Sequence, residues 1–112
     1  MQTRLASSVI VSALLRMVER SGGFGTVLTK GDATAGAIIL VLTERGHTAR
    51  VLERLLQISG DYGWGESLGP ASNEEDVQRF LQKRRKIDPD SWVLELDTAS
   101  AERFAAEIAA LD

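Results

Sequence analysis

The pattern that comes nearest to a ligand-binding loop is a segment with glycine at both ends, Gly31-Asp32-Ala33-Thr34-Ala35-Gly36. Backbone amides between glycines can approach a phosphate closely, and a threonine hydroxyl can donate a further hydrogen bond. The spacing matches neither the dinucleotide fingerprint nor the P-loop, and a strand rather than a helix is predicted to follow. The pattern therefore favours an ordinary turn. A small phospho-ligand site is the alternative, with the candidate residues Gly31, Asp32, Thr34, Gly36 and Trp64.

A basic cluster, Lys83-Arg84-Arg85-Lys86, is the second candidate site, and Arg79 precedes it on the same predicted helix. Such residues can bind the phosphates of nucleic acid or an acidic protein partner. Cations also complement the negative end of a helix dipole, and acidic residues 74–76 open the same helix. No aromatic residues for base stacking are interleaved. A solvated helix end is favoured, with binding of nucleic acid or of an acidic partner as the alternative.

The remaining reactive residues do not form a recognisable catalytic or metal-binding pattern. His47 is the sole histidine, and no nucleophile or carboxylate at a suggestive spacing accompanies it. The absence of cysteine excludes disulfides, thiolate zinc sites and cysteine nucleophiles. The carboxylates between Asp88 and Asp97 lack the spacing of a calcium-binding loop. The sequence therefore predicts no catalytic residue, no metal and no cofactor, and it does not indicate an enzyme.

Large aromatic side chains form a third group of candidates. Trp92 lies in a predicted strand and is expected in the core. Tyr62 and Trp64 lie on a glycine-rich stretch, 59–70, that is either a loop or a short edge strand followed by a loop. They are expected to cover the edge of the sheet, or else to line a small pocket or an interface, where such residues are enriched.

Hydrophobic periodicity and turn residues place these candidates on a series of helices and strands. An apolar stripe at helical spacing predicts a first helix over 8–21, capped by Ser7 or Ser8 and ended by Gly22-Gly23. A capping box from Ser72 to Glu75 predicts the middle helix. The other predicted elements are strands at 24–30, 36–44 and 91–97, a segment 48–58 that fits a strand or a helix and is interpreted as a strand, and helices at 73–86 and 99–111.

These elements predict one α+β domain over 1–112, with a mainly antiparallel sheet of four to five strands. An N-terminal helix, a helix before the last strand and a C-terminal helix pack on the sheet. The segment around 31–36 is expected to join two neighbouring antiparallel strands as a central hairpin. The unbroken apolar run 37–42 is expected to form the centre of the sheet, covered on both faces.

Composition limits the possible partners and compartments. Apolar residues make up 44% and charged residues 26% of the chain, as in ordinary globular proteins. The net charge of −3 provides no overall field that attracts nucleic acid. The apolar run after Arg4 is followed at once by charged residues, has no small-residue cleavage site, and is too short to cross a bilayer. We therefore expect a cytoplasmic protein that does not bind membranes.

The order and spacing of several segments resemble a known family. They run from Val11-Ser12-Ala13-Leu14-Leu15-Arg16 through the 30–37 segment to Asp88-Pro89-Asp90-Ser91-Trp92-Val93-Leu94-Glu95-Leu96. Over about 10–97 the chain is similar to the alphaproteobacterial domain-of-unknown-function family 1491. The resemblance implies a bacterial cytosolic protein with no assigned activity and no catalytic residue to transfer. The leading hypothesis is a small non-enzymatic interaction or adaptor domain that binds an unknown protein partner or a second copy of itself.

Overall fold

The computed structural model describes residues 5–68 and 73–110. Along the chain, the elements are α1 (Ser7–Arg20), β1 (Phe24–Thr29), β2 (Ile38–Glu44), β3 (His47–Leu56), β4 (Tyr62–Leu68), α2 (Glu74–Ile87), β5 (Trp92–Asp97) and α3 (Ala101–Ala109). The segment predicted with two alternatives, 48–58, is a strand as far as Leu56, and the glycine-rich stretch after it contains an edge strand. The fold is α+β, as the sequence predicts.

The five strands lie in the order β1-β5-β2-β3-β4. Every neighbouring pair is antiparallel except β2 and β5, which run parallel. The prediction of a central hairpin between β1 and β2 was therefore wrong, because β5 lies between them. The loop that joins β1 to β2 is bonded to the start of β5, since Trp92 N donates to Ala37 O at 2.7 Å. The loop spans the width of one inserted strand instead of closing a tight hairpin.

Strand β2 is buried on both faces, which confirms the prediction from its continuous apolar run. Helices α1 and α3 cover one face, where the core includes Leu14, Leu40, Leu94 and Phe104. Helix α2 covers the other face, where Val77 packs with Ile39, Val41, Val51 and Val93. The predicted alternation of Trp92, Leu94 and Leu96 on one face of β5 is also confirmed.

The helix starts differ from the predicted caps. Helix α2 has a capping box formed by Asn73 and Asp76, one residue later than predicted, and Ser72 lies outside the described residues. Helix α1 begins after Ala6 without a side-chain cap, so neither Ser7 nor Ser8 serves as its N-cap. Instead, the amides of Ser7 and Ser8 donate to the carbonyls of the 31–36 turn. A distant turn thus supplies acceptors that a local side chain commonly provides.

Candidate functional site

The amides of the 31–36 turn are largely used within the protein. The Asp32 carboxylate accepts hydrogen bonds from the amides of Thr34, at 3.1 Å, and Ala35, at 2.8 Å. The amide of Asp32 donates to Asp90 O, and the amide of Gly36 donates to Asp32 O at 3.3 Å. A phosphate at this turn would have to displace these bonds. The phospho-ligand site remains a prediction, and these contacts account for the same residues as a structural turn.

The turn also connects α1 to β5. Ser7 Oγ donates to Gly36 O at 2.7 Å, and Trp92 Nε1 donates to Asp32 O at 2.8 Å. A Cβ atom at either Gly31 or Gly36 would clash with the carbonyl oxygen of Asp90, so both positions require glycine. The close approach of the backbones explains the glycine spacing that the sequence shows.

The cavity beside this turn, of about 230 Å³, includes Tyr62 in its wall, together with Thr34 and Arg54. The guanidinium of Arg54, which is buried, lies 4.3 Å from the centre of the Tyr62 ring. Trp64 instead packs against the core between the sheet, α1 and α3. The structure therefore places Tyr62 nearer to the turn than the predicted ligand residue Trp64.

The predicted basic cluster is divided by the geometry of α2. Arg84 turns toward the sheet, where its Nε and Nη2 atoms both lie 3.0 Å from Glu53 Oε2. Arg79 lies 3.8 Å from Asp76 in an exposed pair, and Lys83 is exposed to solvent. Arg85 and Lys86 face a groove between α2 and β1. The four predicted cations after residue 82 therefore do not form one continuous basic surface.

A buried ion pair at the centre of this arrangement was missed by sequence reasoning. The Glu53 side chain is 7% exposed, and it accepts a hydrogen bond from Ser67 Oγ at 2.8 Å in addition to those from Arg84. The three residues connect β3, β4 and α2. The one sequence signal was the adjacent charged residues Glu53 and Arg54 between the apolar pairs Val51-Leu52 and Leu55-Leu56.

Strand β1 forms one free edge of the sheet. Its six residues, Phe24-Gly25-Thr26-Val27-Leu28-Thr29, include no charged side chain. Phe24 is 63% exposed, Val27 39% and Leu28 49%. A register shift between Val27 and Thr29 marks a bulge in its pairing with β5. Among the described residues, no strand pairs with the outer side of β1.

An apolar groove of about 430 Å³ runs between β1 and α2. Leu28, Leu81 and Val93 provide its apolar surface, and glutamine side chains of α2 line one side. Its charged lining residues are Arg85 and Lys86, which are exposed. Within the described part of the chain, neither cation forms an ion pair.

A larger cleft, of about 840 Å³, lies at the carboxyl ends of the parallel strands β2 and β5. It brings His47 together with Glu44, Arg45 and Asp97, a grouping that the sequence spacing did not suggest. Asp97 Oδ2 accepts from Thr43 Oγ1 and from the amide of Gly46. Glu44 Oε1 accepts from the amide of Ala101 at the start of α3. Both carboxylates thus stabilise the chain turns around the cleft.

The described residues contain no group of three or more histidine or acidic side chains arranged to hold a metal ion. None of their helices has the length and apolar character needed to cross a bilayer.

Comparisons with known proteins agree with the resemblance inferred from the sequence. The family model "Protein of unknown function (DUF1491)" matches residues 5–106. The solution structure of protein Atu0922 from Agrobacterium tumefaciens is 29% identical, with 91% of this chain and 92% of that chain covered and a TM-score of 0.78. No match was found among the curated proteins.

Two structures from Caulobacter crescentus CB15 are also similar. A crystal structure of a DUF1491 family protein is 32% identical, with 90% of this chain and 94% of that chain covered and a TM-score of 0.77. An NMR structure of a DUF1491 family protein is 30% identical, covers 92% and 94% respectively, and has a TM-score of 0.79. The chain therefore belongs to the DUF1491 family, whose function is unknown.

Proposed function

We propose that this chain is a non-enzymatic protein-interaction domain that binds an extended segment of a partner as an additional strand on β1. The observation that carries the proposal is an edge strand with no charged residue and with Phe24, Val27 and Leu28 exposed. The bacterial cytoplasm is the proposed compartment, because the relatives are bacterial and the sequence lacks cysteine.

The physical basis is the unsatisfied backbone of an edge strand. Its outward N–H and C=O groups offer a template on which another strand can form hydrogen bonds. Soluble proteins commonly protect such edges with lysine, proline, bulges or a covering loop. In β1 the bulge near Leu28 is present, whereas charge and proline are absent from the strand. A partner strand would bury the exposed apolar side chains as well as pair the backbone.

The test is selection of binders from a phage-displayed library of random peptides, followed by affinity measurement on two variants. Leu28→Lys places a charge on the β1 edge and should weaken binding of the selected peptides at least about tenfold, because it introduces the charge that natural edges use for protection. Leu56→Lys is the matched control, since Leu56 is similarly exposed but lies at the far end of β3. It should leave the affinity unchanged.

The opposite pattern would contradict the proposal. Peptides whose affinity falls with Leu56→Lys and not with Leu28→Lys would place binding at the β3–β4 end of the sheet. A library that yields no binder, together with a strictly monomeric protein at high concentration, would remove the support for an interaction role at β1.

A further inference from the structure

We infer that the partner segment is apolar with acidic residues near its N-terminal end, and that it runs antiparallel to β1 along the groove beside α2. This inference rests on the proposed function, because it assigns the chemistry and direction of the strand that β1 accepts. Three properties carry it: the position of the groove, its charge and the orientation of β1.

The groove lies where an added strand would place half of its side chains. Side chains alternate between the two faces of a sheet, so every second residue of a strand beside β1 would point toward the α2 face. On that face Leu28, Leu81 and Val93 form an apolar surface next to the free edge. Apolar side chains of the partner can enter this space, which would remove the exposed surface of Leu28 from water.

The charged side chains that line the groove, among the described residues, are all cations. Arg85 and Lys86 line it, and in the described ranges no carboxylate pairs with either of them. The other two cations of the same sequence cluster have different surroundings: Arg84 is held by Glu53, and Lys83 does not line the groove. Carboxylates on the partner would complement Arg85 and Lys86, and electrostatic complementarity of this kind fixes register and suppresses wrong partners.

The direction follows from which end of β1 adjoins the groove. Leu28 and Thr29, which line it, are at the carboxyl end of the strand. Antiparallel pairing is slightly more stable per residue than parallel pairing. In an antiparallel complex the N-terminal end of the partner lies beside Thr29, so its acidic residues should be located there.

The experiment compares three short synthetic peptides with blocked ends and the same alternating valine and threonine core. One begins with glutamates, one begins with glutamines, and one carries the glutamates at its C-terminal end. Titration against the ¹⁵N-labelled protein should give shifts in β1 and α2, with the first peptide about three- to tenfold tighter than either of the others, since exposed ion pairs contribute modestly. Added salt should reduce that difference.

Paired substitutions on α2 identify the cations. Arg85→Gln with Lys86→Gln should abolish the preference for the first peptide. Arg79→Gln with Lys83→Gln removes the same charge from the same helix outside the groove, and it should preserve the preference.

The possible results separate this inference from the proposed function. Equal affinities for the glutamate and glutamine peptides, with binding still sensitive to Leu28→Lys, would overturn the acidic partner and leave strand addition intact. Preference for the C-terminal glutamates would overturn the antiparallel direction. Failure of all three peptides to shift β1 resonances would overturn the inference. Concentration-dependent dimerisation that Leu28→Lys abolishes would show that the occupant is a second copy of this chain.

Discussion

The two edges of the sheet are built from different residues and are stabilised in different ways. Strand β4 has glycine at 63 and 65, carries Glu66 within 3.5 Å of Arg50, and is connected through Ser67 to the buried Glu53. Strand β1 is joined to its neighbour β5, and its exposed side chains are uncharged: Phe24, Val27 and Leu28 are apolar, and Thr26 is polar. Polar side-chain contacts connect β4 to its neighbour β3, whereas β1 presents an uncharged surface beside an open groove. This difference locates the proposed interaction at β1.

The largest effect is expected from Glu53, which stabilises the β4 side. Glu53→Ala should lower the free energy of unfolding by about 3 kcal/mol, because it leaves the partly buried Arg84 guanidinium without its partner. Urea denaturation followed by circular dichroism measures the change. Replacing both Glu53 and Arg84 by apolar residues should recover much of the loss, because no charge is then left unpaired. A fully additive loss in the double variant would contradict this account of the pair.

A substitution at Gly25 tests how closely β1 packs against α1. A Cβ atom there would lie 2.6 Å from Leu15 Cδ2 and 2.7 Å from Leu96 Cδ2, so these two packed leucine side chains must shift to admit it. Gly25→Ala should lower the free energy of unfolding by about 1–2 kcal/mol through overpacking. Gly65→Ala on the other edge is the control, since nothing lies within 4 Å of its added Cβ. Equal losses at the two glycines would show that β1 is not packed closely on α1.

A charge introduced on the β1 edge should have little effect on the free energy of unfolding. Leu28→Lys should change the free energy of unfolding by about 0.5 kcal/mol or less, because the side chain is about half exposed and leaves no cavity. Thermal denaturation measures this change in stability. If the stability is unchanged, a loss of peptide binding in Leu28→Lys results from the charge at the edge and not from unfolding. A loss of several kcal/mol would mean that Leu28 is needed for folding.

The smallest effect is expected at the exposed pair on the β4 side. Arg50→Gln should cost less than about 0.5 kcal/mol, since both side chains of the Arg50–Glu66 pair are substantially exposed and salt screens them. Denaturation at low and high salt should show a small difference between wild type and variant that shrinks further as salt is added. A loss as large as that of Glu53→Ala would show that the exposed and buried pairs stabilise this edge alike.

Much of the fold followed from local patterns in the sequence. The stripe that includes Leu14 and Val18 predicted α1, and the unbroken apolar run of β2 predicted a strand covered on both faces. Strand adjacency was not predictable in the same way, because the insertion of β5 between β1 and β2 depends on contacts between residues far apart in sequence. The bond from Trp92 N to Ala37 O is one such contact.

The candidate sites show the same division between local and long-range information. Glycine spacing identified the 31–36 turn, but only the fold shows its amides engaged and its backbone against Asp90. The sequence grouped Arg84 with Arg85 and Lys86, yet helical geometry directs Arg84 to Glu53 and leaves the other two at the groove. The exposed edge of β1 could not be inferred, because the sequence did not indicate which strand β5 would pair with and therefore which strands would lie at the edges.

Amide hydrogen exchange tests most directly whether β1 accepts a strand. It is measured on the free protein and with a saturating peptide from the library selection. Strand addition predicts new protection within Phe24–Thr29, with exchange in Tyr62–Leu68 unchanged, because the added backbone bonds form only at the first edge. New protection in Tyr62–Leu68 with none in Phe24–Thr29 would contradict the assignment of the interaction to β1.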